Sequence, residues 1–107
     1  MVRLHVALGA APRRAQAIAE ALQSMQISTR LEPGCLGCSV WQEGDGQVHY
    51  SEEWATEGDL QARVRSPRFV SLISLMEAAS EPPKVQFQFV ERTRGLEYVE
   101  EVRGLGD

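Results

Sequence analysis

Val2-Arg3-Leu4-His5-Val6-Ala7-Leu8 sets an apolar side chain at every second position. A period of two belongs to a strand with one face in a core and the other turned away. Gly9 ends the run, and the period then changes. From Pro12 to about Arg30, Ala15, Ile18, Ala19, Leu22 and Met25 recur at spacings of three and four. That is an amphipathic helix, and Pro12 suits its first turn, where no N–H is needed. A chain that switches period in this way must lay a helix against a sheet.

The remaining segments extend the alternation. Glu32-Pro33-Gly34 stops the helix, because the residue before proline is pushed out of helical geometry and Gly34 permits a turn. Cys35 to Glu43 reads as a second strand, Gly44-Asp45-Gly46 as a hairpin turn, and Gln47 to Ala55 as a third strand. Thr56-Glu57-Gly58-Asp59 resembles a capping box with Asp in the Glu slot, so a short helix begins there. Ser66-Pro67 is expected to restart it, with Ser66 as cap and Pro67 at the first helical position. Phe69, Leu72, Ile73 and Met76 supply its apolar face through about Ala79, and Pro82-Pro83 ends it. Lys84 to Arg92 alternates again, with Val85, Phe87 and Phe89 on one side and Gln86 and Gln88 on the other.

The order β-α-β-β-α-β predicts an α+β, ferredoxin-like antiparallel sheet with both helices on one face. Residues 1–93 form this domain, and residues 94–107 a charged extension in which Leu96, Tyr98, Val99 and Val102 are placed to dock on a partner. Helices on one side leave the opposite sheet face bare. An apolar face of that size is expected to pack against a second copy, giving a homodimer whose interface the extension crosses.

Composition narrows the function. A length of 107 residues fits one domain. A net charge of −4 opposes a nucleic-acid footprint. No stretch approaches the roughly 18 apolar residues of a membrane span, and Arg3 and His5 interrupt the N-terminal run, so no signal peptide is read and a cytoplasmic location is expected.

Cys35-Leu36-Gly37-Cys38 looks like a redox motif, but it follows a glycine turn into a strand. Strand positions three apart face opposite sides and are separated by about 10 Å of rise, so the two thiols are expected neither to bond nor to share a metal. Two His and two Cys without ligand spacing predict no metal site. The lack of a glycine-rich phosphate loop predicts no flavin or nicotinamide. Glu52 and Glu53, as strand neighbours, face opposite sides and do not make a paired-carboxylate site.

Three fragments, in this order and spacing, carry a family resemblance: Glu32-Pro33-Gly34-Cys35-Leu36-Gly37, Glu53-Trp54, and Leu60-Gln61-Ala62-Arg63 followed by Ser66-Pro67-Arg68-Phe69. Together they resemble the antibiotic biosynthesis monooxygenase (ABM) domain family over roughly Val2 to Val90. The resemblance implies a dimeric α/β barrel, quinol monooxygenase-like, that oxidises small aromatic, quinol or polyketide-like substrates with O₂ and no cofactor. It also leaves open a non-catalytic ligand-binding or stress protein, or a non-oxidative isomerase.

On that resemblance the cavity is expected between sheet and helices. Its walls would be Trp54, Cys38, Phe69, Leu72 and Met76, and His5 would sit within reach. Trp54 offers a flat apolar wall, and His5, with a near-neutral pKa, can take a proton from a phenol. His5 can equally lie on the dimer-facing side of the sheet. His49 points away from Trp54 by strand alternation. Arg63 and Arg68 stand where family members often carry His. Arginine is no general base, but it can hold an anionic ligand or pair with Glu53 or Glu57. The haem-degrading branch needs a His on the second helix, and none is present there.

Overall fold

A computed structural model describes residues 1–104 of the chain. Strand β1 (Val2–Gly9) leads to helix α1 (Pro12–Arg30), then β2 (Cys35–Glu43) and β3 (Gln47–Trp54). Helices α2 (Glu57–Arg65) and α3 (Phe69–Glu77), strand β4 (Lys84–Phe89) and helix α4 (Leu96–Arg103) complete it. The four strands form one antiparallel sheet in the order β2-β3-β1-β4, the ferredoxin-like arrangement. In the single chain this sheet stays open.

Alternation in β1 decides the core. Val2, Leu4, Val6 and Leu8 are buried on the helix side; Val48, Tyr50, Cys38, Ala15, Ile18, Ala19, Leu22 and Leu72 meet the last three, and Val2 packs with Trp54 and Leu60 in a second cluster. Burial of such side chains contributes about 1.5–3 kcal/mol each. The turn into β2 depends on Gly34, whose φ of 84° suits a residue without a Cβ. A Cβ there would also collide with the Asp59 carboxyl. Asp59 in turn belongs to the predicted capping box. Thr56 Oγ1 accepts from the Asp59 backbone N–H at 3.1 Å and donates to Asp59 Oδ2 at 2.9 Å.

Four expectations change. Ser66-Pro67 does not cap the second segment. Ser66 closes α2, its hydroxyl donating to the Arg63 carbonyl at 2.6 Å, and α3 starts beyond Arg68. Strand β4 ends at Phe89 instead of running to Arg92. A register shift between Cys35 and Gly37 puts Cys35 and Cys38 both on the helix side of β2, opposite Trp54 and Glu52, instead of on opposite faces. The charged extension is mostly helical, as α4, and residues 105–107 lie outside the described residues.

The fourth change is the bare sheet face, which is polar. Register places Arg3, His5, Ser39, His49, Ser51, Glu53, Gln86 and Gln88 on it, with Trp41 as its large apolar member. The uncovered apolar surface lies elsewhere. Val85, Phe87 and Phe89 pair with Val6, Leu4 and Val2 and so face the helix side, yet all three are exposed. Helix α4 has no buried residue, and Leu96, Tyr98, Val99 and Val102 are open on it. The chain is correspondingly long, 57 × 31 × 22 Å, with a radius of gyration of 16.8 Å. A compact domain of this length has about 13 Å.

Candidate functional site

Below the sheet, β3 delivers Tyr50, Glu52 and Trp54 to one side at strand spacing. Glu52 is wholly buried and holds three side chains. It accepts from Tyr50 Oη at 2.5 Å, from the Trp54 indole N–H at 3.0 Å, and from Arg63 Nε at 3.2 Å and Nη2 at 2.9 Å. Arg63 comes from α2 and is itself only 2% exposed. It also approaches Thr29 Oγ1 at 3.5 Å and Glu32 at 3.7 Å, and its guanidinium lies 5.5 Å from the centre of the Phe69 ring. Burial works against the Arg63 charge, but the Glu52 carboxylate outweighs it and raises the pKa. Burial likewise raises the Tyr50 phenol and pushes the Cys38 thiol up to about 11. These groups are locked in neutral or paired forms, which suits scaffolding more than proton transfer.

This arrangement corrects the expected cavity. Trp54, Cys38 and Leu72 are fully enclosed and Phe69 nearly so, with Met76 packed at the edge of the same core. His5 lies on the opposite face of the sheet from all of them. Arg63 is neither a surface residue nor paired with Glu53 or Glu57; its partner is Glu52. The signal was present in the sequence, because Glu52 shares strand parity with Trp54. Arg68 remains exposed and, with Arg63, Thr29, Ser28, Met25 and Ser71, lines a cleft of about 330 Å³ on the helix side.

Above the sheet, three rings from three strands gather. His5 of β1 and His49 of β3 approach at 3.0 Å, Nε2 to Nδ1, with planes 5° apart. Trp41 of β2 lies parallel to both, within 9°, at centroid distances of 5.1 Å to His49 and 5.6 Å to His5. These separations fit offset stacking. His49 Nε2 is buried and has no hydrogen-bond partner, although a Glu43 carboxylate oxygen stands 3.4 Å away. Burial, the His49 imidazole and the Arg3 guanidinium all lower the His5 pKa below the ordinary imidazole value.

Two clefts flank the rings, and His5 borders both. One, about 670 Å³, is lined by Arg3, His5, Trp41, Glu53, Gln86 and Gln88, among others. Arg3 donates to Glu53 at 2.9 Å along its floor. The other, about 620 Å³, includes His49, Glu43, Gln47 and Lys84. A flat aromatic, a neutral imidazole and amide side chains together suit a small, planar, oxygen-bearing ligand. The thiols take no part, since Cys35 and Cys38 are both free and lie on strand β2 away from these rings. Among the described residues there is no group of three or more His, Cys, Asp or Glu arranged to hold a metal ion.

Comparison with solved structures shows the fold widely. A Deinococcus radiodurans protein described as an antibiotic biosynthesis monooxygenase matches with a TM-score of 0.78 at 21% identity, covering 89% of this chain and 97% of that one. A Mycobacterium tuberculosis protein matches at 0.75 and 19%, covering 88% and 98%. One from Nitrosomonas europaea, also described as an antibiotic biosynthesis monooxygenase, matches at 0.73 and 18%, covering 86% and 100%. At such identities the likeness establishes the fold alone. A comparison with curated proteins finds no match. The model of the antibiotic biosynthesis monooxygenase family matches residues 1–73, from β1 into α3, and so spans well over half of the sequence. On that match, the chain belongs to the antibiotic biosynthesis monooxygenase family.

Proposed function

We propose that the chain is a cofactor-independent monooxygenase for a small aromatic, quinol or polyketide-like substrate, with His5 as its general base on the open face of the sheet. The observation that carries this reading is the His5 ring itself. It is kept neutral by its surroundings, borders the larger cleft and lies beside the Trp41 plane. A neutral imidazole near pH 7 accepts a phenolic proton, while Arg3 gives the resulting oxyanion a nearby positive charge. The substrate anion then reacts with O₂ at carbon. The peroxide so formed takes a proton and loses water to leave a carbonyl, so that RH₂ and O₂ give R=O and H₂O.

Two clefts open to solvent do not shield such an anion, and a second copy would. Phe87 and Phe89 are exposed on the helix side of β4, away from the clefts, and with the bare face of α4 they support a homodimer in which α4 crosses to the partner and the open sheet faces meet over the clefts. Among the described residues no helix is long and apolar enough to cross a membrane.

The test is O₂ uptake with a panel of quinols and naphthols near neutral pH. Turnover lost in His5→Ala supports the reading, and unchanged turnover removes His5 from it. A second reading, binding of an anionic ligand, is favoured by Arg68 in the helix-side cleft. Stabilisation by phosphorylated or carboxylated compounds, lost in Arg68→Ala and without O₂ uptake, would select it.

A further inference from the structure

A base that takes a proton in a half-buried position needs somewhere to send it. The neighbours of His5 on the open face come from all four strands. They are Arg3 on β1, Glu43 on β2, His49 and Glu53 on β3, and Lys84 on β4. Arg3 and Glu53 are engaged with each other. Lys84 carries a positive charge and repels an arriving proton. The remaining path runs through His49, whose Nδ1 is 3.0 Å from His5 Nε2, to Glu43, 3.4 Å from His49 Nε2.

We infer that His49 and Glu43 form a proton relay behind His5, joining the two clefts across the face of the sheet. This inference rests on His5 being the base. The hydrogen bond between the rings requires one donor and one acceptor. With Nε2–H on both rings, His5 Nε2 donates to His49 Nδ1, and His5 Nδ1 keeps a lone pair for substrate. When Nδ1 takes the substrate proton, the Nε2–H of His5 passes to His49 Nδ1. The Nε2–H of His49 then passes to the Glu43 carboxylate. One O–H bond of the substrate is broken and one is formed on Glu43, and each imidazole ends neutral with its proton moved to the other nitrogen. The proton returns by the same route when the peroxide loses water, so the relay is restored each turnover.

The unpartnered, buried Nε2 of His49 fits this role. A structural histidine would have both nitrogens satisfied, as buried polar groups generally are. Glu43 has the mobility to close the gap, since its side chain is 73% exposed. Trp41, parallel to both rings, holds them in the shared orientation that the transfer needs. His49 and Glu43 are therefore positioning and relay residues, and His5 alone meets substrate.

The chain holds two histidines, so their titration can be followed ring by ring by NMR. In His49→Phe, which keeps a flat ring, the His5 midpoint moves up toward the ordinary imidazole value. Glu43→Gln removes the last proton acceptor of the relay and lowers kcat in O₂ uptake with KM little changed. Should the Phe ring disturb folding, His49→Gln serves the same purpose. In O₂ uptake, His49→Phe lowers kcat at least about tenfold with KM little changed. A His5 titration identical in wild type and in both His49 variants overturns the relay, whether or not the protein turns over. A His49→Phe variant with full kcat beside an inactive His5→Ala variant overturns it too, while His5 stands as base.

Discussion

Arg63 rests its guanidinium on the Glu52 carboxylate at 2.9 Å, with 1% and 0% of the two side chains exposed. Removing one partner of a buried pair strands the other charge. Arg63→Met is therefore expected to destabilise the fold by about 3–5 kcal/mol. Glu52→Gln combined with Arg63→Met recovers much of that loss, because the new amide oxygen can still accept from the Trp54 indole N–H, the amide NH₂ can donate to the Tyr50 hydroxyl oxygen, and no charge is left buried. Urea unfolding of the two single variants and the double variant measures the coupling.

Gly34 carries the family turn, and its backbone requirement is local. Gly34→Ala places a methyl against Asp59 and strains the φ of 84°. A loss of about 1–3 kcal/mol is expected, read from thermal melts. Asp59→Gly in the same background removes every contacting side-chain atom at the cost of the Asp59 carboxylate bond to Thr56, so it should return part of the stability.

His5 gives a pH dependence whose sign is fixed. Its folded pKa lies below the unfolded value near 6.5, so the unfolded chain binds its proton first as pH falls. The stability that depends on neutral His5 is present above that value and is lost as pH falls from there through the folded pKa. His5→Asn flattens this part of the stability profile, measured by denaturant unfolding between pH 7.5 and 5. The acid limb of kcat/KM should follow the same group.

Much of the fold is legible in the sequence because period and punctuation agree. The alternation of β1, the Pro12 start and the Thr56 box all state their local structure. The Ser66-Pro67 step misleads because Ser66 finds its hydrogen bond backwards, on Arg63, instead of capping the next helix. The site is less legible. Parity shows that Glu52 and Glu53 diverge and that His49 leaves Trp54, but placing His5 beside His49 requires the strand register, which no single strand encodes. Nor does parity reveal that the space beneath the sheet is filled by the Arg63 side chain.

The two thiols should differ in reactivity. Cys38 is buried with its pKa raised to about 11, and its Sγ lies 3.4 Å from Tyr50 Oη; Cys35 is only partly covered. A thiol reagent under native, non-reducing conditions is expected to modify Cys35 slowly and Cys38 only on unfolding. Mass spectrometry of the labelled protein reads the ratio. A Cys35–Cys38 disulfide in the untreated protein would contradict the β2 geometry.

Helix α4 provides a prediction on assembly. Val99→Asp puts a charge on its bare face, where Leu96, Tyr98 and Val102 also lie. Sedimentation should show a dimer for the wild type and a lighter species for the variant at the same concentration, with the circular dichroism of the rest unchanged. A wild-type monomer at all concentrations would remove α4 as an interface.

The polar clusters on the two sides of β3 have a joint consequence. Tyr50, Glu52 and Trp54 lock below the sheet, and His49 locks above it. Sliding β3 by one residue would exchange the two sets, lifting Glu52 away from Arg63 and driving His49 and Glu53 among Leu4, Val6 and Leu22. Each cluster thus checks the other, like the two sides of a key cut to one lock. A strand this rich in charge is held in alignment by its polar side chains as much as by its apolar ones.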